Sequence, residues 1–295
     1  MHYPALAGLA ALAFVLGSLS QRAAVDERRL DLCEYRLFWA DEFDDLSIAA
    51  WRLGDKRWIA HTPWAGDFGD AQFLDPGPDG PFAIENGTLV ITARKRRDGR
   101  WTSGLIAATD TEGAGTSQQY GYFEARMKVS PGPGTWPAFW LYSHQSRRGK
   151  TPDVEIDVME FYGHDPGAYY ATWHIHHKPL IDGRKDGVTQ RIPIPGGGPM
   201  DGFHRFGVDV SPDQTTYYFE RRPVWQHPTP AELKAPLFPL VNLALGSGYS
   251  IENTPSPSRL EIDYVRLYAR LPEEERGDCE VAKISARAEA PADQP

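Results

Sequence analysis

The residues best suited to chemistry lie in one short run, Asp153-Val154-Glu155-Ile156-Asp157-Val158-Met159-Glu160. In an extended strand alternate side chains share a face. Glu155 and Asp157 then point one way, while Val154, Ile156 and Val158 point into a core. Strict alternation would carry Glu160 into that core as well, where a lone carboxylate is expensive. One extra residue, a β-bulge, returns Glu160 to the acidic face. Three carboxylates so close repel one another and separate in pKa, a crowding that marks a site better than it explains stability. Glycoside hydrolysis needs such a set. One carboxylate attacks the anomeric carbon, a second protonates the leaving oxygen, and in retaining enzymes the two stand about 5 Å apart. A solvated acidic face and a calcium site compete with this reading. The apolar residues on either side and the neighbouring Trp-rich segment weigh against both.

The elements that must hold this run are strands. From Leu37 to Tyr268, runs rich in β-branched and aromatic residues alternate with Gly/Pro/Asp turns, clearest at 88–94, 120–129, 153–161, 203–210, 215–221 and 259–268. No long 3.6-residue apolar period interrupts them, so helices are expected to be few. Many strands without a βαβ rhythm predict an all-β, antiparallel β-sandwich of the jelly-roll kind. Segments 60–81 and 178–202 are long and turn-rich, as functional rims are.

Composition narrows the class. The chain has 295 residues, enough for one large all-β domain, and a net charge of -9, which gives a nucleic-acid role no electrostatic support. Its 9 Trp, 13 Tyr and 13 Phe suit pleated strands and also sugar binding, since flat rings stack on the apolar faces of pyranoses. Residues 5–19 are apolar apart from Ser18, too short to span a bilayer comfortably and suited to a signal peptide. The expected organisation is a signal peptide over 1–20, a linker over 21–35, the catalytic domain over 36–271 and a largely disordered tail over 272–295. The mature protein is then secreted or periplasmic, free of the membrane and monomeric. Cys33 and Cys279 are the two cysteines. They either join the start of the mature chain to its tail in a disulfide or stay as separate thiols.

Two patterns are set aside. His174 and His176 share a strand face with ligand-like spacing, but the sequence shows no third ligand beside them, so no metal centre is expected. Gly196-Gly197-Gly198 lacks the following helix and Lys of a phosphate loop.

Glu155-Ile156-Asp157-Val158-Met159-Glu160 resembles the bulged E-x-D-x-x-E motif of glycoside hydrolase family 16, the laminarinase, lichenase and agarase group. Agreement extends in order over 37–270. Asp41-Glu42-Phe43-Asp44 is similar to the opening strand of that family, and Glu85-Asn86-Gly87-Thr88-Leu89-Val90-Ile91-Thr92-Ala93 to its N-G-x-L-x-I-x-A strand. Tyr120-Gly121-Tyr122-Phe123-Glu124-Ala125-Arg126-Met127-Lys128 and Gly134-Thr135-Trp136-Pro137-Ala138-Phe139-Trp140-Leu141 lead into the acidic strand. Thr172-Trp173-His174, Asn242-Leu243-Ala244-Leu245-Gly246 and Asp263-Tyr264-Val265-Arg266-Leu267-Tyr268 complete the pattern.

The resemblance implies a sandwich with a concave sugar cleft, and a polysaccharide as partner. It implies Glu155 as nucleophile, Glu160 as general acid/base and Asp157 as the assisting carboxylate between them. It also implies substrate contacts at Trp136, Trp140, His174 and Asn242. Trp140 stands between cleft and core, and His174 between substrate contact and a hydrogen-bonded neighbour. Some members hold a structural calcium through a glutamate like Glu42 and an aspartate like Asp263; no other cofactor is expected. The expected activity is retaining endo-β-glycosidase action on a β-1,3 or β-1,3-1,4 glucan or a related polymer. A transglycosylase of the same fold and a non-catalytic lectin are the alternatives. The chain departs from the family at Gly246-Ser247-Gly248-Tyr249, where a Gly-Gly-Trp-like sequence is common.

Overall fold

The computed structural model describes residues 29–276 apart from Ala65, 130–131, 149–151, 177–186, 197–199 and Asp201. The expected signal peptide, most of the linker, most of the tail and Cys279 lie outside the described residues. Among them there is no α-helix, only three short 3-10 turns and 18 strands. The strands form two stacked sheets. One runs in the order Gly187–Pro193, Ala168–His176, Asp153–Glu160, Thr135–Tyr142, Phe238–Leu245, Leu105–Ala107, Trp58–Ile59, Ile48–Ala49. The other is centred on Gly121–Val129, Ser258–Arg270 and Thr88–Lys95. Pairing is antiparallel but for two short parallel contacts, Ile48–Ala49 with Trp58–Ile59 and Ala71–Phe73 with Trp101–Ser103.

Alternation sorts the side chains of the first sheet onto its two faces. Along Thr135–Tyr142, Phe139 and Leu141 enter the core between the sheets, whereas Ala138, Trp140 and Tyr142 join a second apolar cluster on the opposite, concave face. Along Phe238–Leu245, Val241, Leu243 and Leu245 enter the core while Phe238, Leu240 and Ala244 face the concavity. Val154, Ile156, Val158 and Met159 continue the core row beneath the acids. A sheet apolar on both faces needs cover on each, and the covering sheet supplies only one.

The second cover comes from 60–81. The sequence reads that stretch as a turn-rich rim; it also contains the strand Ala71–Phe73, which pairs with Trp101–Ser103. It is anchored where Asp70 N–H donates to Leu245 O at 2.9 Å. Gly69 makes this approach feasible. Its φ is +72°, and a Cβ there would lie 2.4 Å from Leu245 O. Likewise 178–202 is not wholly loop, since Gly187–Pro193 pairs with Ala168–His176. That strand is mostly exposed, as a sheet edge is, with the polar run Thr189-Gln190-Arg191 at its centre.

Leu32 and Tyr35 are buried, and Tyr35 pairs with Arg270 at the start of the first strand.

The convex side carries a buried charge pair. Arg221 grips Glu124 with Nε and Nη2, each at 2.9 Å, and the hydroxyls of Tyr122 and Tyr264 donate to the same carboxylate at 2.7 and 2.9 Å. Burial alone would raise the pKa of Glu124, but the bonds and charge of Arg221 outweigh it and hold the group below the usual carboxylate range. Glu42 and Asp263, the calcium-type residues of the resemblance, are also committed to arginines. Arg266 takes Glu42 through two bonds of 2.8 Å, and Arg126 takes Asp263 at 2.6 Å.

Breaking the buried pair should be costly. Arg221→Met leaves the Glu124 charge without its counterion and should lower stability by about 3–5 kcal/mol, while the double variant with Glu124→Leu should recover much of that loss. Urea unfolding of both variants measures the difference. A single-variant loss no larger than that of a surface substitution would show that the pair does not secure the convex face.

Candidate active site

The acidic strand lies between the Trp-rich strand Thr135–Tyr142 and the His-rich strand Ala168–His176. Its register contains the expected bulge. On one side Tyr142 faces Glu155, Trp140 faces Asp157 and Ala138 faces Glu160. On the other, His174 faces Glu155, Thr172 faces Asp157 and Tyr170 faces Glu160. Both neighbours advance two residues where the acidic strand advances three, from Asp157 to Glu160. Val158 and Met159 are 2% and 0% exposed, so the additional residue is absorbed by the core and the three acids stay on the concave face.

Glu160 is held by donors. Its Oε1 accepts from Trp136 Nε1–H at 3.0 Å and from the Tyr162 hydroxyl at 2.8 Å, and Thr172 Oγ1 lies 3.5 Å from Oε2. Burial raises its pKa, the Tyr162 and Trp136 donors pull it back, and the Glu155 charge raises it again; the balance lies above the usual value. Asp157 is pushed well above the carboxylate range, first by burial and then by Glu160 and Glu155. It is 5% exposed, and its Oδ2 makes no hydrogen bond. Glu155 Oε2 lies 3.1 Å from His176 Nε2.

The histidines act on diagonal neighbours. His174 faces Glu155 in the register, yet its Nε2 is 3.5 Å from Asp157 Oδ2. His176 faces Asp153 and reaches Glu155. Diagonal reach of this kind is within range of long side chains on an antiparallel pair.

The aromatic residues form the cleft. A cavity of about 180 Å³ opens over the three acids, walled by Trp64, Phe68, Trp136 and Trp140. Trp136 is half-buried and stacks on Tyr162, with ring centres 6.1 Å apart and planes at 18°. Trp140 belongs to the concave face but is 5% exposed, because Trp64 and Phe68 of the covering loop pack against it. Asn242 is 0% exposed. Its Oδ1 accepts from Trp140 Nε1–H at 2.8 Å and its Nδ2 donates to Trp136 O at 3.3 Å. Asn242 lines the cavity and also fixes the two tryptophans from below.

The sequence brought forward Glu155, Asp157, Glu160, Trp136, Trp140, Asn242 and His174; the first six line this cleft, and His174 stands beside Asp157. It passed over Tyr162, Thr172, His176 as a partner of Glu155, and the loop residues Trp64 and Phe68. Alternation beyond Glu160 could have pointed to Tyr162. No local pattern places Trp64 or Phe68, which arrive from a loop distant in sequence. At the departure from the family, Tyr249 stacks on His164 with centres 3.4 Å apart and leans on Tyr162, so an aromatic ring continues the wall there.

Comparison with known proteins agrees with this geometry. Residues 79–266 match the model described as glycosyl hydrolases family 16. The chain is 30% identical over 252 residues to the endo-1,3-1,4-beta-glycanase EglC of Rhizobium meliloti, an alignment covering 78% of this chain and 51% of that protein. A second glycanase of that organism, ExsH, is likewise matched over 51% of its length, so the chain spans about half the length of these curated relatives. The beta-glucanase of Rhodothermus marinus is 26% identical over 280 residues, covering 87% of this chain and 93% of that one. Among solved structures, the laminarinase catalytic domain of Thermotoga maritima superposes with a TM-score of 0.63 at 26% identity, covering 81% of this chain and all of that domain.

The raised pKa of Asp157 makes a prediction about stability. Folding disfavours loss of its proton, so its contribution is most favourable below the unfolded pKa of about 3.9 and is eroded as pH rises toward the folded value. Asp157→Asn removes that erosion. Its Tm should match wild type near about pH 4 and exceed it by a margin that widens toward about pH 8. Calorimetry across this range tests it; a margin independent of pH would mean that Asp157 is not held protonated by the fold.

Proposed function

The chain belongs to glycosyl hydrolase family 16, and on that premise we propose that it is a retaining endo-β-glycosidase acting on a β-1,3 or β-1,3-1,4 glucan or a closely related polysaccharide. The observation that carries this reading is the bulge between Asp157 and Glu160, which keeps three carboxyls on one concave face, with burial pushing Asp157 and Glu160 toward the protonated form. The open, aromatic-walled cleft supports internal rather than terminal cleavage. The endo-1,3-1,4-beta-glycanase, beta-glucanase and laminarinase named among its relatives support the substrate class. Such a polymer is found outside the cytoplasm, which accords with the export expected from residues 5–19.

In the proposed reaction Glu155 attacks the anomeric carbon as a carboxylate while Glu160 gives its proton to the departing glycosidic oxygen. The burial that raises the pKa of Glu160 favours the protonated form that this step uses. After the first product leaves, Glu160 is a carboxylate and takes a proton from the water that releases the glycosyl-enzyme. Trp136 and Tyr162 stabilise it in that charged state through their donated hydrogen bonds. Asp157, neutral between two glutamates, spares the site a third negative charge and can donate its proton toward Glu155. Trp64 and Trp136 offer ring faces for sugars on the two sides of the bond.

Glu155→Ala should abolish activity on every substrate, because no covalent intermediate forms. Glu160→Ala should spare the first step with a dinitrophenyl glycoside and accumulate the glycosyl-enzyme. Added azide should then give the β-azide from Glu160→Ala and the α-azide from Glu155→Ala. Swapped anomers would exchange the roles, and wild-type turnover in either variant would sink the assignment.

Tyr162→Phe removes a donor that favours the charged form of Glu160. The alkaline limb of the kcat/KM profile on barley β-glucan should therefore move to higher pH. A limb that stays in place would mean that another group sets it.

A further inference from the structure

Glu155, Asp157 and His174 each offer a ligand atom, and these atoms lie within 4.8 Å of one another. Among the described residues this is the one group of three or more acidic, histidine or cysteine side chains placed to hold a metal ion. The alternating histidines of Trp173-His174-Ile175-His176 lacked further ligands in the sequence; the neighbouring strand supplies them. Asp157 Oδ2 is buried and without a hydrogen-bond partner, and His174 Nε2 lies 3.5 Å from it. Behind Glu155, His176 Nε2 at 3.1 Å braces the carboxylate from the other side. Zinc binds imidazole nitrogen and carboxylate oxygen at about 2.0–2.2 Å, so tetrahedral ligands stand about 3.4 Å apart. The His174–Asp157 pair already has that spacing. Glu155, with a flexible side chain, needs only a small inward shift.

We propose that Glu155, Asp157 and His174 form a site for a borderline divalent transition-metal ion of the zinc or copper kind, and that the bound ion excludes polysaccharide from the cleft. The geometry of the site stands alone; the consequence for substrate rests on the function proposed above. A mixed imidazole and carboxylate set suits zinc and copper, whereas calcium and magnesium seek oxygen ligands in larger number. A cation also relieves the repulsion among the crowded carboxyls, which no neighbouring lysine or arginine does in the cleft lining. Because Glu155 cannot both ligate the ion and attack a sugar, metal and substrate exclude one another. The ion is thus an inhibitor, bound through the same side chains that perform the proposed reaction.

The test is calorimetric titration of zinc chloride, and separately calcium chloride, into the full chain at neutral pH. Zinc should bind to one site at least about tenfold more weakly in His174→Ala and in Asp157→Asn, and calcium should bind more weakly than zinc in wild type. Circular dichroism establishes that each variant is folded, and the two variants guard against the failure of one. On β-glucan, zinc should raise KM without lowering kcat, and a chelator should reverse it. Zinc affinity unchanged in both folded variants, or inhibition that lowers kcat alone, overturns the proposal. Zinc bound at this site by a protein that cleaves no β-glucan would sink the functional reading and leave the metal site standing. Cleavage of β-glucan that zinc neither binds nor alters would do the reverse.

Discussion

The period of two along a β-strand is the constraint on which this protein turns. An unbroken strand would place Glu155 and Asp157 on the concave face and bury Glu160 between the sheets. One additional residue, Val158, lets both neighbouring strands keep their own register while the acidic strand moves ahead by one. The core accepts it because Val158 and Met159 are both apolar and both fit below the sheet. Chemistry on one face is thus secured by packing on the other. A polar residue at either position would set the hydrophobic core against the acidic row.

The same concave face has to be apolar enough to seat aromatic rings and polar enough to hold three carboxyls. The structure meets these demands by layering. Asn242 lies at the bottom, tying Trp140 and the backbone of Trp136 together. Trp140 forms a floor above it, and the loop residues Trp64 and Phe68 close over that floor. Of Trp136 and Trp140, it is Trp136 that donates its indole N–H to an acid, Glu160. The ring that walls the cleft therefore also tunes the carboxyl beside it. Burial raises the pKa values of Asp157 and Glu160, while a few directed donors pull Glu160 back.

The two faces of the sandwich treat buried carboxylates in opposite ways. On the convex side Glu124 receives an arginine and two tyrosine hydroxyls, and its pKa falls. On the concave side no arginine or lysine lines the cleft around Asp157 among the described residues, and its pKa rises. The first arrangement satisfies a charge so that a surface can be closed. The second withholds satisfaction, leaving a strained polar group where reactivity, or a metal ion, can make use of it.

Much of this was legible in the amino-acid order, because it rests on period-two patterns within single strands. The all-β class, the strands around 88–94, 120–129 and 259–268, the bulge and the shared face of Glu155, Asp157 and Glu160 all follow from local alternation and the cost of burying a lone carboxylate. The motifs carried the family by resemblance. The edge strand Gly187–Pro193 was hidden because an exposed edge interrupted by Thr189-Gln190-Arg191 carries no sustained apolar alternation. The roles of individual rings and histidines belong to tertiary structure alone. Asn242 becomes a support because Trp140 stands diagonally from it on the neighbouring strand. Trp140 leaves the open cleft because a loop some seventy residues earlier folds over it. His174 and His176 gain their acidic partners because a diagonal contact depends on the register between two strands. Side-chain alternation is a property of one strand and survives in the sequence; proximity between strands and loops is set by how the sheets close, and no local spacing records it.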